Sequence, residues 1–150
     1  MTGSSQFYLA VHTMLMIAGF PERHITSTTV AQSAGCHPVI IRNLFIKLRT
    51  AGLLHTKCGR GKTELTRPPE EITLLDIFDA VEGDNARETF KIYESPRSQC
   101  PLSANVRTVV GEHFSRTTAI MQETLCAVTL ASLIAELKAG LPAGDGKYGE

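Results

Sequence analysis

At 150 residues the chain has room for one compact domain with an appended oligomerisation element. Its 43% hydrophobic content supports a core and excludes wholesale disorder, while its apolar runs fall well short of the ~20 residues of a membrane span. Fifteen Lys/Arg balance fifteen Asp/Glu, so the net charge says nothing about partners until the charges are placed along the chain. Residues 1–6 lack the positive region of a secretory signal, and cysteines at 36, 58, 100 and 126 make no disulfide framework. The expected location is cytoplasmic, with no membrane association.

Residues 6–18 carry apolar side chains at 7, 9, 11, 14, 15, 17 and 18, most of which fit one face of a helix that Gly19-Phe20-Pro21 ends. Thr26, Ser27, Thr28 and Thr29 offer capping hydroxyls to a short second helix ending at Ala34. Gly35-Cys36-His37-Pro38 then breaks the chain and places a proline in the first turn of a third helix, residues 38–51, closed by Gly52. Residues 53–65 read as two short strands around Gly59-Arg60-Gly61. Pro68-Pro69 separates this hairpin from a fourth helix, with Thr73 as its cap and Gly83 at its end.

Residues 84–101 form a linking loop, with a short structured piece expected around 89–93. Leu102, Val106, Val109, Val110, His113, Phe114, Thr117, Ile120, Met121 and Leu125 then follow steps near three and four, the seam of a long helix that needs a partner surface. Packing across the first helix of the same chain is the alternative. Thr129 caps a last helix from Leu130 to Lys138, and residues 140–150 read as a fraying tail. The expected fold is mostly α with a small two-stranded wing. A winged helix-turn-helix domain spans 1–83, a linking or sensor loop 84–101, dimerisation helices 102–139 and a flexible tail 140–150.

Charge follows this division. Between residues 36 and 67 seven Lys/Arg face one acid, Glu64, a balance of +6, whereas residues 68–96 hold eight acids and two bases, a balance of −6. A helix-turn-helix with a basic hairpin places one helix in a major groove and a cationic loop beside the backbone, so double-stranded DNA is the expected partner. Arg42 and Asn43 suit guanine and adenine edges, although one of the two can instead face the protein. His37 and Pro38 stand where helix N-terminal amides approach phosphate, or His37 serves as a simple cap. Ser27 and Thr28 either cap or donate to phosphate. Lys47, Lys57, Arg60 and Lys62 are the phosphate-contacting candidates, with Arg60 at the wing tip and Glu64 working against the wing. No phosphate loop, nucleophile elbow or catalytic His/carboxylate constellation is present, so no enzyme is expected. His12, His24, His55 and His113 show no metal-ligand spacing with the cysteines.

Several segments together resemble the Rrf2 family of bacterial winged-helix regulators. They are Leu9-Ala10-Val11-His12, Ile25-Thr26-Ser27, His37-Pro38-Val39-Ile40-Ile41-Arg42, and Lys47-Leu48-Arg49-Thr50-Ala51-Gly52-Leu53 with Leu44 before it. The most specific is Arg67-Pro68-Pro69-Glu70-Glu71-Ile72-Thr73-Leu74-Leu75-Asp76, followed by Ala80-Val81-Glu82-Gly83, Cys100-Pro101-Leu102 and Thr129-Leu130-Ala131-Ser132-Leu133. The resemblance implies a homodimer with crossing long helices on a near-palindromic operator, and a repressor, with activation open to the same binding. Sensor members hold an iron–sulfur cluster on three closely spaced cysteines in the loop before the long helix. Here that loop has Cys100 alone, so the chain is similar to the cluster-less branch and no cofactor is expected. Three alternatives stay open. Cys100, or Cys58 beside Lys57, can act as a redox-sensing thiol; a cluster can be bound in an atypical way; or the winged helix serves a protein partner and no longer binds DNA.

Overall fold

The computed structural model describes residues 3–59, 61–83, 90–93 and 99–140. Among these residues six α-helices and one two-stranded sheet follow the expected order: α1 (Gly3–Gly19), α2 (Ser27–Ala34), α3 (Pro38–Thr50), β1 (Leu54–Thr56), β2 (Thr63–Leu65), α4 (Leu74–Glu82), α5 (Pro101–Ala127) and α6 (Leu130–Gly140). The core lies where α1, α3 and α4 meet, with Met14, Ile41, Leu48, Ile72 and Ile77 fully buried. Thr13 can be buried with them because its hydroxyl donates to the Leu9 carbonyl at 2.8 Å and is thereby satisfied.

The turn between α2 and α3 is set by local chemistry. Gly35 adopts φ 70°, a left-handed conformation open to glycine without steric cost, and Cys36 N–H returns to the Ala31 carbonyl at 3.0 Å. His37 and Pro38 then start α3 in extended and helical conformations in turn. The strands pair antiparallel with Leu54 opposite Leu65, His55 opposite Glu64 and Thr56 opposite Thr63. The wing tip residue Arg60 lies outside the described residues.

The motif after the wing is a junction. Thr73 and Asp76 form a reciprocal capping box, with Asp76 N–H donating to Thr73 Oγ1 at 3.2 Å and Thr73 N–H to Asp76 Oδ2 at 2.9 Å. The same carboxylate takes the Arg67 guanidinium at 3.2 Å, so the proline-rich segment is closed at both ends. Directly across, Leu74 N–H donates to the Val128 carbonyl at 2.9 Å and Leu130 N–H to the Ile72 carbonyl at 2.7 Å. This crossing brings Leu130 into the core and lays α6 against α1. It is α6, rather than the long helix, that packs on α1.

Helix α5 runs 27 residues, and none of them is buried among the described residues. Of the expected structured piece, Thr89 lies outside the described residues and residues 90–93 form neither helix nor strand. They nevertheless dock on α5: the Phe90 and Phe114 rings stand 5.3 Å apart, and Ile92 fills the space where a Cβ on Gly111 would come within 2.9 Å of it. Of the expected tail, 140–150, Gly140 instead closes α6 and 141–150 lie outside the described residues, as do 84–89 and 94–98 of the loop.

The capping box generates a direct prediction. Thr73→Ala removes the acceptor for Asp76 N–H and should cost about 1 kcal/mol. Thermal unfolding at fixed protein concentration should show a midpoint lower by roughly 3 °C. An unchanged midpoint would mean that the crossing with Val128 and Leu130 alone holds the start of α4.

Candidate nucleic-acid interface

The surface that could meet DNA is built on α3. Ile41, Leu44, Phe45 and Leu48 are buried on one face of the helix. Helical phase therefore turns Val39, Arg42, Asn43 and Ile46 to the other, at successive spacings of three, one and three residues. All four are exposed. Both Arg42 and Asn43 are on the outside, so neither is spent on the core. No carboxylate occurs between Glu22 and Glu64, and every residue of α2, α3 and β1 lies in that acid-free span. A phosphate backbone approaching this side meets cations and helix N-termini without a repelling side chain from the span itself.

At the start of α3, His37 acts as the N-cap: Val39 N–H donates to its Nδ1 at 3.3 Å, which leaves Nε2 on the exposed side of the ring. Pro38 follows at the first helical position and is half-buried. At the start of α2 the cap falls to Thr26, whose Oγ1 accepts from Thr29 N–H at 3.1 Å and lies 2.9 Å from the Thr29 hydroxyl. The cap is therefore Thr26 rather than Ser27 or Thr28; Ser27 is half-buried and Thr28 exposed.

Two expected phosphate contacts are engaged within the protein, although Lys47 itself stays exposed. Lys47 places its ammonium 3.0 Å from Gln6 Oε1 and 3.1 Å from the Val81 carbonyl, in the last turn of α4 where unpaired carbonyls carry partial negative charge. Lys62 donates to the Pro21 carbonyl and lies 3.8 Å from Glu64, with a side chain only 27% exposed. Glu64 sits between Lys62, Lys57 at 3.6 Å and His55 at 3.9 Å, so one carboxylate draws in the cations of the described wing. Lys57, at 66% exposure, remains the most open of these. Val39 and Ile46 were not among the expected site residues; their helical phase opposite Leu44 and Leu48 is the sequence signal that they face outward.

His12 lies at the α1–α2 contact, Nε2 to Ser33 Oγ at 3.0 Å, and burial pushes its pKa down. The cysteines are scattered. Cys36 is half-buried in the turn between α2 and α3, Cys58 is exposed in the wing, and Cys100 and Cys126 are exposed at opposite ends of α5, about 39 Å apart along its axis. Among the described residues no three His, Cys, Asp or Glu side chains come together to hold a metal. The segment before α5 supplies one thiol, and an iron–sulfur cluster needs several, so this donor set does not fit one. No helix among the described residues is long and apolar enough to cross a membrane.

Comparison with known proteins agrees with this architecture. YwnA of Bacillus subtilis, named as an HTH-type transcriptional regulator, is 25% identical over 134 residues, covering 89% of this chain and 98% of its own. A solved transcriptional regulator from Lactobacillus plantarum superposes with a TM-score of 0.72 at 25% identity, covering 90% of this chain and 91% of that one. The structure of CymR, the global cysteine regulator of B. subtilis, shares the fold with a TM-score of 0.67 at 20% identity, covering 90% and 97%. Residues 3–136 match the Rrf2 family, described as iron-dependent transcriptional regulators, and the chain belongs to that family of winged-helix regulators rather than to any class of enzyme.

Proposed function

We propose that the protein is a homodimeric, sequence-specific DNA-binding repressor that works without an iron–sulfur cluster. The observation that carries this reading is the exposed, acid-free face of α3, with Arg42 and Asn43 side by side and His37 at the helix start. In this reading α3 enters the major groove, where Arg42 reads guanine and Asn43 adenine. Ser27, Thr28, His37 and Pro38 approach the phosphates flanking that contact, and Lys57 with Arg60 follows the neighbouring backbone. A second copy covers α5. What supports it is the exposure of Leu102, Val106, Val109, Val110 and Ile120 along a helix none of whose residues is buried among those described. Two-fold symmetry then sets two recognition helices on a near-palindromic operator, and occupancy of a promoter blocks transcription. The absence of a cluster rests on the cysteine placement: the 39 Å or so between Cys100 and Cys126 along α5 leaves the loop thiol without partners on its own chain.

A second reading is favoured by one observation: Cys100 is exposed and immediately precedes the helix assigned to the dimer. In that reading its thiol displaces glutathione from oxidised glutathione, forming a mixed disulfide that alters the α5 pairing and releases DNA.

The first test is fluorescence anisotropy of the reduced, metal-free protein on DNA upstream of its own gene, with excess random DNA at near-physiological salt. Competitor-resistant binding is expected. Binding that ignores both sequence and salt would instead favour a protein partner for the winged domain. Arg42→Ala should lower operator preference about tenfold or more while sparing random DNA. Lys57→Ala should weaken both and reduce the salt slope by about one. Identical effects on the two DNAs would end this division of labour. Val109→Glu should leave circular dichroism unchanged and convert dimers to monomers in sedimentation, since a buried unpaired charge costs about 3–5 kcal/mol. A persisting dimer would move the interface off α5. Finally, oxidised glutathione should weaken operator binding by the wild-type protein and leave Cys100→Ser unaffected if the thiol reading holds; equal responses would remove Cys100 as a sensor.

A further inference from the structure

Two apolar side chains stand out on the cationic face of α3. Val39 is 46% exposed and Ile46 58%, although the same helix has buried positions for Ile41, Leu44 and Leu48. Seven residues apart, they lie nearly on one line along the helix, with Arg42 and Asn43 between them, and are separated by about 10.5 Å of rise. That is close to three base-pair steps of about 3.4 Å. The two differ from the run on α5, where Leu102, Val106, Val109 and Val110 follow one another closely enough to cover a partner helix. On the outward face of α3 their helical neighbours are the polar residues Arg42, Asn43, Arg49 and Thr50, so each suits a small apolar knob set in a polar surface. In a major groove the knob of that kind is the C5-methyl group of thymine.

We propose that Val39 and Ile46 are specificity-determining residues that read thymine methyl groups on either side of the base pairs contacted by Arg42 and Asn43. This rests on the DNA-binding reading of α3 above and adds the identity of the flanking bases. Arg42 and Asn43 distinguish bases by hydrogen bonding, which leaves thymine and cytosine at the flanking positions to be separated by shape. A branched aliphatic side chain does that: it gains by covering a methyl and leaves the cytosine amino group without a partner. Val39 faces this task in the first turn of α3, where recognition helices of this geometry meet base edges, and Ile46 does so two turns further on.

The test separates this proposal from the reading beneath it. Operators are selected from a random duplex library with the full-length protein. Each thymine in the selected half-site is then replaced singly by deoxyuridine, which removes only the methyl, and affinity is measured by anisotropy. One replacement is expected to weaken binding roughly fourfold through loss of contact with Val39, and a second, about three base pairs away, through Ile46. Val39→Ala should bind the thymine and deoxyuridine duplexes equally at the first position while keeping the penalty at the second, and Ile46→Ala should do the reverse. Both side chains are exposed, so neither variant is expected to unfold. A selected operator bound equally well with deoxyuridine at every position would overturn the methyl reading and leave the DNA-binding one standing. So would a deoxyuridine penalty that both alanine variants retain in full. Failure to enrich any sequence would overturn both together.

Discussion

The crossing of residues 72–74 with residues 128–130 is the constraint from which most of the architecture follows. Two backbone hydrogen bonds join the chain just before α4 to the chain just before α6, with Leu130 buried beside Ile72. The capping box of Thr73 and Asp76 fixes α4 at that point, and Arg67 ties the returning wing strand to the same carboxylate. Three parts of the protein therefore share one anchor. The chain between α4 and the crossing must leave the body and come back, so α5 projects with contacts to α4 and none of its residues buried among those described. Without the crossing, α6 would have no reason to return to α1, and the exposed apolar line of α5 would have no fixed direction relative to α3.

Helix α3 does two jobs that depend on the same period. Its apolar positions Ile41, Leu44, Phe45 and Leu48 fill the core, and the phase this sets leaves Val39, Arg42, Asn43 and Ile46 outside. The Lys47 side chain adds a clamp. Its ammonium joins the last turn of α4 to the start of α1 through Val81 and Gln6, which fixes α3 against both neighbours. A cation that looks available in the sequence thus orients the surface on which the others stand. Preorganisation of this kind lowers the ordering cost of binding, and it favours a rigid face over a mobile one.

Much of this was legible in the residues. The Gly35-Cys36-His37-Pro38 break, the Gly52 stop, the Thr73 and Thr129 caps and the long seam from Leu102 to Leu125 each carry a local physical reason, and the elements form where those reasons place them. What escaped the sequence is tertiary. Four hydroxyls at 26–29 are chemically alike, and only the path of the chain selects Thr26 as the cap. Nothing in the spacing of Lys47 and Lys62 announces a carbonyl on α4 or on the turn after α1, because those acceptors lie 34 and 41 residues away. Nor does the pattern of α6 differ from that of a second dimer helix until Leu130 and Ile134 are seen against the body of the protein.

The engagement of two cations within the protein changes how the proposed interface divides its labour. Charge neutralisation of phosphates gives affinity with a steep salt dependence, about 0.9 per phosphate in log–log slope. With Lys47 held at α4 and Lys62 held at Pro21, fewer side chains are free for that role than the sequence balance of +6 implies. Glu64 draws on Lys57 as well, although an exposed pair of this kind is worth about 1 kcal/mol at most and yields readily to a phosphate. The described wing is therefore a modest cationic element, with Lys57 and Lys62 against Glu64 leaving a net +1 in the free protein. On the proposed function, discrimination would then fall chiefly to α3, where no acid interferes and where the hydrogen-bonding pair Arg42 and Asn43 is flanked by two aliphatic groups. In the proposed reading, a surface with that composition would read base identity through shape and hydrogen bonds, and would lose less of its selectivity to salt than one that relied on the wing.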